Sequence, residues 1–419
     1  MMACKRLLLG LGLALGLASA SWVPRDVQII NGSWINRVTG EREVWNGTNV
    51  IMKGPPWIPS TNASAPCNAS EACSTFTDAD ALYLRSRGMR AIRLGVIWAG
   101  GQPTPVDALD ADFEARLHSF LELCGRHGLR VMLDIHQDAV GTAMCGEGVP
   151  MWYTKKHFPH LIGKPVLGPK TKFLKGNCSL LDENKLWELY AGDPLYNVKN
   201  PCCLAWNAPG GWGSNIDVTD FSQAQITQLV ATDAGRSAYS TYVRLLAQSV
   251  AQYPAAVSIE LMNEPPTIQG SALYRLYKAC YDAVRDVAPD LALGVADTGS
   301  DVPSASDSRL AKDVRAWLRH SNTTGIFYAF HCYSCKLPDT VTNAVKLAAL
   351  WNAPAFLTEF GTPQSGPAAD AAGVGWTHYQ YNAYCNVPCG QGQNTCKPVP
   401  GTNETCLPGK PCAFGACIT

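Results

Sequence analysis

Val257-Ser258-Ile259-Glu260-Leu261-Met262-Asn263-Glu264-Pro265 is the stretch on which the reading of the fold turns. It is a short apolar run, closed by a proline, of the kind that forms a strand buried on both faces of a parallel sheet. A helical pattern follows at Ala272–Val287, and a second apolar run at Ala292–Thr298. The same strand-then-helix unit recurs on both sides of this segment. Apolar runs lie at Asn49–Gly54, Ala91–Trp98 and Arg130–Gln137 before it, and at Ile326–Tyr333, Ala355–Gly361 and Val374–Tyr381 after it. Further helical patterns fall at Asp78–Gly88, Asp110–His127, Arg236–Tyr253, Ser308–Arg319 and Thr340–Trp351.

Eight such strands predict an α/β chain folded as a (β/α)8 TIM barrel. A doubly wound open sheet is the competing architecture. It would more often show a Gly-rich phosphate turn after its first strand, and none is present here. Three parts stand outside the repeat. Residues 27–47 read as a hairpin, Val27–Ile30 against Glu43–Trp45, capping the barrel bottom. Residues 139–225 form a long loop excursion after the third strand, which in a barrel emerges on the catalytic face. Trp152, Trp187, Trp206 and Trp212 lie in it. Residues 382–419 form a tail with six cysteines and too few apolar residues for a core of its own.

The chain opens with Lys5 and Arg6, an apolar run from Leu7 to Leu17, and Ala18-Ser19-Ala20. That pattern predicts a cleaved leader over residues 1–20, and so a secreted protein, extracellular or held in a lysosome or vacuole. The run is too short to span a bilayer, which takes about 20 residues. The sequence has 17 cysteines, and losing Cys4 with the leader leaves an even number, as a set made mostly of disulfides would have. Cys332-x-x-Cys335 reads as a local disulfide rather than a redox centre, and no cysteine pair has a matching partner at zinc spacing. Seven N-x-S/T sequons, at Asn31, Asn46, Asn62, Asn68, Asn177, Asn322 and Asn403, suit a glycoprotein. Asn46 lies beside the first strand, where burial would oppose glycosylation. Lys and Arg number 34 against 34 Asp and Glu, with no basic face or run, so nucleic acid is a poor partner.

Two of the strands end in a glutamate: Glu264 in Asn263-Glu264-Pro265, and Glu359 in Thr358-Glu359-Phe360-Gly361. In a closed barrel both C-terminal edges share one rim, so the two carboxyl groups can converge across the mouth. Cleavage of a glycosidic bond needs such a pair, one to protonate the leaving oxygen and one to attack the anomeric carbon or activate water. One strand-end glutamate alone would be unremarkable in any barrel. The two motifs together, in this order, resemble glycoside hydrolase family 5 over roughly residues 27–381.

The resemblance implies a retaining β-glycosidase working by double displacement. It makes Glu264 the acid/base and Glu359 the nucleophile. Asn263 would bind the sugar 2-hydroxyl, Arg93 would keep Glu359 ionised, and Tyr333 would orient Glu359. His331 would be the active-site histidine, with a satisfied core histidine as the bland alternative. Glu260, one layer deeper than Glu264, reads as structural. The family often sets a tryptophan under the sugar on the last strand. Here Tyr379 best fits that slot, unless Trp376 supplies the platform.

Asp134-Ile135-His136-Gln137-Asp138, then Cys145-Gly146-Glu147-Gly148-Val149-Pro150-Met151-Trp152, together with Asn49-Val50-Ile51-Met52-Lys53-Gly54-Pro55-Pro56, resemble the endoglycoceramidase branch of that family. The branch releases an intact glycan from ceramide. It implies that Lys53, His136 and Asp138 contact the sugar nearest the cut, by charge-assisted hydrogen bonds. Glu147 is a third carboxylate nearby, either tuning the pair or facing solvent. The expected partner is a β-linked glycan or glycolipid, met at a membrane surface through an apolar groove for which Trp57, Trp152 and Trp212 are candidates. Neither a metal nor an organic cofactor is implied, and a monomer is expected. Members of the branch carry a C-terminal β-sandwich where this chain has its Cys-rich tail. An endo-β-glucanase or a β-glucosidase is therefore the alternative activity. A dead, carbohydrate-binding barrel is the alternative from another class, as is a structural glycoprotein.

Overall fold

The computed structural model describes residues 23–52, 54–62, 75–138, 140–144, 147–164, 220–266, 270–297, 302, 325–333, 338–361, 364–379 and 381. The expected leader, the helical pattern at Ser308–Arg319, the tail, most of the long excursion and Cys335 lie outside them.

Eleven strands are described: β1 (Val27–Ile30), β2 (Ser33–Asn36), β3 (Arg42–Glu43), β4 (Asn46–Val50), β5 (Ala91–Gly95), β6 (Arg130–Asp134), β7 (Ala256–Glu260), β8 (Ala292–Val295), β9 (Ile326–Cys332), β10 (Ala355–Phe360) and β11 (Gly375–His378). The last eight close into a barrel in chain order, β11 pairing with β4, and every neighbour pair is parallel. This is the expected TIM barrel. Its first strand starts at Asn46 rather than Asn49, so the Asn46 sequon begins the strand instead of preceding it.

The helices are α1 (Asp78–Ser86), α2 (Trp98–Gly101), α3 (Ala111–Arg126), α4 (Met151–His157), α5 (Asp220–Ala231), α6 (Asp233–Val250), α7 (Gly270–Arg285), α8 (Asp339–Ala349) and α9 (Ser365–Ala371). Side-chain caps fix several starts. Asp110 accepts from the amides of Asp112 and Phe113 at α3, and Thr232 accepts from Gly235 at α6. The short α2 and α4, and α5 within the excursion, carry too little apolar periodicity to be read from sequence.

Two cores sit on opposite faces of the barrel wall. Ile92, Leu94, Val131, Leu133, Ile259, Leu293 and Leu357 point outward against the helices. Ala91, Met132, Val257, Ala292, Phe327 and Phe356 point inward. Trp34 and Trp45 join the inner set from the N-terminal segment, so that segment plugs the barrel bottom, as expected. Its pairing differs from the expected hairpin. β2 lies between β1 and β3, making a three-stranded antiparallel sheet. Asn31 and Gly32, both at positive φ, turn the chain back directly after β1. Sequence spacing hid this, because β2 alternates only over four residues. The fully buried Arg25 anchors the sheet, bonding Asp290 at 2.6 Å and the carbonyl of Ala256.

Barrel closure leaves no room at Gly47 in β4. A Cβ there would lie 1.9 Å from the Ala91 carbonyl oxygen, which is backbone and cannot move aside. We expect Gly47→Ala to cost at least about 3 kcal/mol, beyond ordinary overpacking, read as a lower denaturant midpoint. Among the described cysteines, Cys332 is disulfide-bonded, while Cys124 and Cys280 are free, buried thiols. Burial pushes both thiols up, so they are inert. No helix among the described residues is long and apolar enough to cross a membrane.

Candidate active site

Arg93 organises the mouth. It points inward from β5, fully buried, and every arm of its guanidinium is used. Nε and one terminal nitrogen bind Glu260 in a fork, at 2.8 and 3.0 Å. The other terminal nitrogen donates to Glu359 at 2.6 Å and to Asn49 at 2.9 Å. Asn263, at 2.8 Å, and Asp134, at 2.9 Å, complete the set. Arg93 thus meets both glutamates for which it was a candidate. Glu260 lies one layer below Glu264, in the structural place expected of it.

Glu359 reaches this set through an irregularity in β10. Phe356 points into the barrel and Leu357 points out, so strict alternation would send Glu359 outward. The register slips between Leu357 and Glu359, which sets Glu359 opposite His331 of β9 and turns its carboxylate inward. Tyr333 donates to Glu359 at 2.9 Å. Burial raises the Glu359 carboxyl, but the cationic His331, Arg93 and His136 outweigh it and hold the group below the usual carboxylate range.

Glu264 stands just beyond β7, in the left-handed region at φ 35°. Its Oε1 accepts from His331 Nδ1 at 2.8 Å, and the same nitrogen is 3.6 Å from Glu359. His331 thus lies between the two carboxylates. Oxygen atoms of Glu264 and Glu359 lie within 4.8 Å of each other and of that nitrogen. Burial lowers the His331 imidazole, yet the two glutamates win and raise it.

His136 and Asp138 sit on the same rim after β6. His136 donates from Nδ1 to Asp134 at 2.7 Å, and its Nε2 lies 3.3 Å from Asp138 and 3.9 Å from Glu147. Burial lowers this imidazole, but Asp134 and Asp138 together raise it to about 10. It is an imidazolium at neutral pH, within 4.8 Å of Glu359. Glu147 is buried beside it rather than facing solvent, its backbone bridged to Asp138. Asp134 went unread in the sequence. It binds Arg93 through one oxygen and His136 through the other.

The last strand divides its two aromatic candidates. Tyr379 lies at the mouth, its ring 6.2 Å from that of Tyr333. Trp376 does not: it donates to Asp370 of α9, packs on Phe360, and so faces the helical layer. Gly375 and Thr377 take the inward positions of β11, and alternation puts Trp376 outside. Lys53 and Trp212 lie outside the described residues. Trp57 and Trp152 are half-buried against the core, and Trp152 also donates to the Gln102 carbonyl.

The site holds close carboxylates, one kept ionised by cations, under a rim of polar groups. It can attack and protonate a polyhydroxylated substrate. The Tyr333 hydroxyl bonds a charged group, a contact worth about 1.5–3 kcal/mol. We expect Tyr333→Phe to lower kcat by about 10- to 100-fold, with the denaturation midpoint unchanged.

Comparison with known proteins finds relatives of one family and fold. Residues 204–389 match the family described as Cellulase (glycosyl hydrolase family 5). An endoglycoceramidase of Hydra vulgaris is 25% identical over 261 residues, which cover 59% of this chain and 44% of that protein. Endoglycoceramidase I of Rhodococcus hoagii (strain 103S) is 23% identical over 226 residues, covering 54% and 34%. The matches thus span less than half the length of these relatives. Among solved structures, endo-glycoceramidase II from Rhodococcus sp., as a lactosyl-enzyme intermediate, has a TM-score of 0.53 at 20% identity, over 85% of this chain and 75% of that one. A crystal structure of endogalactoceramidase gives 0.56 at 18%, with the same coverage. These two share the fold. The expected resemblance to family 5, with endoglycoceramidases among the homologues, holds.

Proposed function

We propose, from its kinship with glycosyl hydrolase family 5, that this protein is a secreted retaining β-glycosidase that frees an intact glycan from a glycolipid. The observation that carries the reading is the pair Glu264 and Glu359, with oxygen atoms within 4.8 Å across the barrel mouth. Retention by a covalent intermediate needs carboxyl groups about 5–5.5 Å apart, whereas inversion needs about 6.5–9.5 Å to admit a water.

In the first step a Glu359 oxygen attacks the anomeric carbon as the bond to the leaving oxygen breaks. Glu264, protonated, gives its proton to that oxygen. In the second step Glu264, now a carboxylate, takes a proton from water as the water attacks the anomeric carbon and Glu359 departs. Arg93 and Tyr333 hold Glu359 ionised and aimed before the first step. Asn263 is the partner of the sugar 2-hydroxyl, and His136, Asp138 and Lys53 bind the hydroxyls of the sugar nearest the cut. Tyr379 takes the platform position on the last strand. The endoglycoceramidases among the homologues support ceramide as the aglycone. The leader pattern, the sequons and the disulfide at Cys332 support secretion.

The test is hydrolysis of a β-lactosyl ceramide beside soluble cello-oligosaccharides, with the first product anomer read by NMR. Intact lactose released as the β-anomer, with the oligosaccharides left whole, is the expected result. Cleavage of the oligosaccharides alone would move the chain to the β-glucanases. The α-anomer as first product would overturn retention. No cleavage of either would favour a carbohydrate-binding barrel.

A further inference from the structure

Glu264 is held in a backbone conformation that its sequence does not favour. Its φ of 35° is left-handed, a region that residues with a side chain rarely adopt. Val140, on the loop after β6, is at φ 67°, and for a β-branched residue that is a true outlier. One side chain bonds the backbone of both. Gln137 donates from Nε2 to the carbonyl oxygens of Asn263, at 2.9 Å, and Glu264, at 3.0 Å. Its Oε1 accepts from the Val140 amide at 3.1 Å. In return the Asn263 side chain donates to the Gln137 carbonyl at 3.1 Å, and the Asn263 amide to Ile135 at 3.0 Å.

The geometry is specific. Successive carbonyls of an extended chain point to opposite sides. The carbonyls of Asn263 and Glu264 instead converge on one donor, which the left-handed turn at Glu264 permits. That turn directs the Glu264 side chain toward His331 and the mouth. Gln137 is buried and has no slack. A Cβ at Gly148 would come within 2.7 Å of its own Cβ, so glycine there lets the loop close over it.

We infer that Gln137 is the positioning residue of the acid/base: its amide clamps the turn that aims Glu264 at the leaving oxygen. The same side chain fixes the loop carrying Asp138 and Glu147, so the acid and this part of the sugar rim move as one body. The inference rests on the reading of Glu264 as the acid/base.

The test separates aiming from bracing by the leaving group. A dinitrophenyl glycoside departs without a proton, whereas an alkyl or ceramide glycoside needs one. The full chain is compared as wild type, Glu264→Gln, Gln137→Met and Gln137→Glu. The last keeps the length of the side chain and its acceptor for Val140. We expect kcat/KM on the alkyl β-glycoside to fall on the order of 10²-fold in both Gln137 variants, and on the dinitrophenyl β-glycoside by less than about tenfold. Glu264→Gln should show the same split more strongly. An equal fall on both substrates makes Gln137 a brace and overturns the inference, as does no fall on either. If Glu264→Gln splits the substrates and the Gln137 variants do not, only the Gln137 inference fails. If Glu264→Gln shows no split, or wild type cleaves neither glycoside, the acid/base reading fails and the inference with it.

Discussion

On the proposed mechanism, Glu359→Gln is expected to lower kcat on the proposed glycolipid substrate on the order of 10⁵-fold, the size of effect seen when a covalent nucleophile is removed. The amide is nearly isosteric but a poor nucleophile toward an anomeric carbon. Fold and binding should survive, because Arg93 keeps its fork to Glu260 and its contacts to Asp134 and Asn263. The measurement is single-turnover hydrolysis beside glycolipid binding by the same variant. Residual activity within tenfold of wild type would remove Glu359 from the role. A variant that neither cleaves nor binds would show that the carboxylate also builds the subsite.

Arg93→Met should act on stability first. Arg93 is the buried cation among Glu260, Asp134 and Glu359. Taking one partner from a buried ion pair costs about 3–5 kcal/mol, because the remaining charges stay desolvated and unpaired. The loss is read from denaturant unfolding. Arg93→Lys should recover only part of it, since an ammonium is a single point charge and cannot reproduce the planar fork.

The same change moves the pH profile. Glu359 in the folded protein lies below the usual carboxylate range, with His331, Arg93 and His136 overcoming the rise due to burial. A carboxyl lowered on folding contributes stability above its unfolded value, and that contribution is lost as pH falls through the folded value. Removing Arg93 takes away one of the opposing cations, so the folded value rises. The acid limb of kcat/KM should therefore move to higher pH in Arg93→Lys or Arg93→Met, measured on whichever variant folds. An unmoved limb would show that His331 and His136 suffice to keep Glu359 ionised.

Much of this molecule was legible in the chain. The barrel strands follow from short apolar runs, and the helices read from Asp78, Asp110 and Thr340 from an apolar period of 3.6 residues, which local sequence carries. The two glutamates were legible because Asn263-Glu264-Pro265 and Thr358-Glu359-Phe360-Gly361 sit at strand ends, and a closed barrel brings those ends to one rim. Strand ends were read too long. The ladder of β7 stops at Glu260, and residues 261–264 leave it to present Asn263 and Glu264.

What the sequence by itself determined, then, is the barrel and the rim to which its strand ends, with Glu264 and Glu359, are brought. Tertiary structure decided where each side chain points. The register slip at Thr358 turns Glu359 inward against the alternation of β10 and sets it opposite His331 of β9, a pairing that only the assembled sheet provides. Unbroken alternation in β11 carries Trp376 to the helical layer and leaves Tyr379 at the mouth. Asp134 and Gln137 matter through partners on other strands, Arg93 on β5 and the carbonyls beyond β7. Local propensity fixes a strand's existence, but its facing and its long-range bonds depend on neighbours brought together only when the barrel closes.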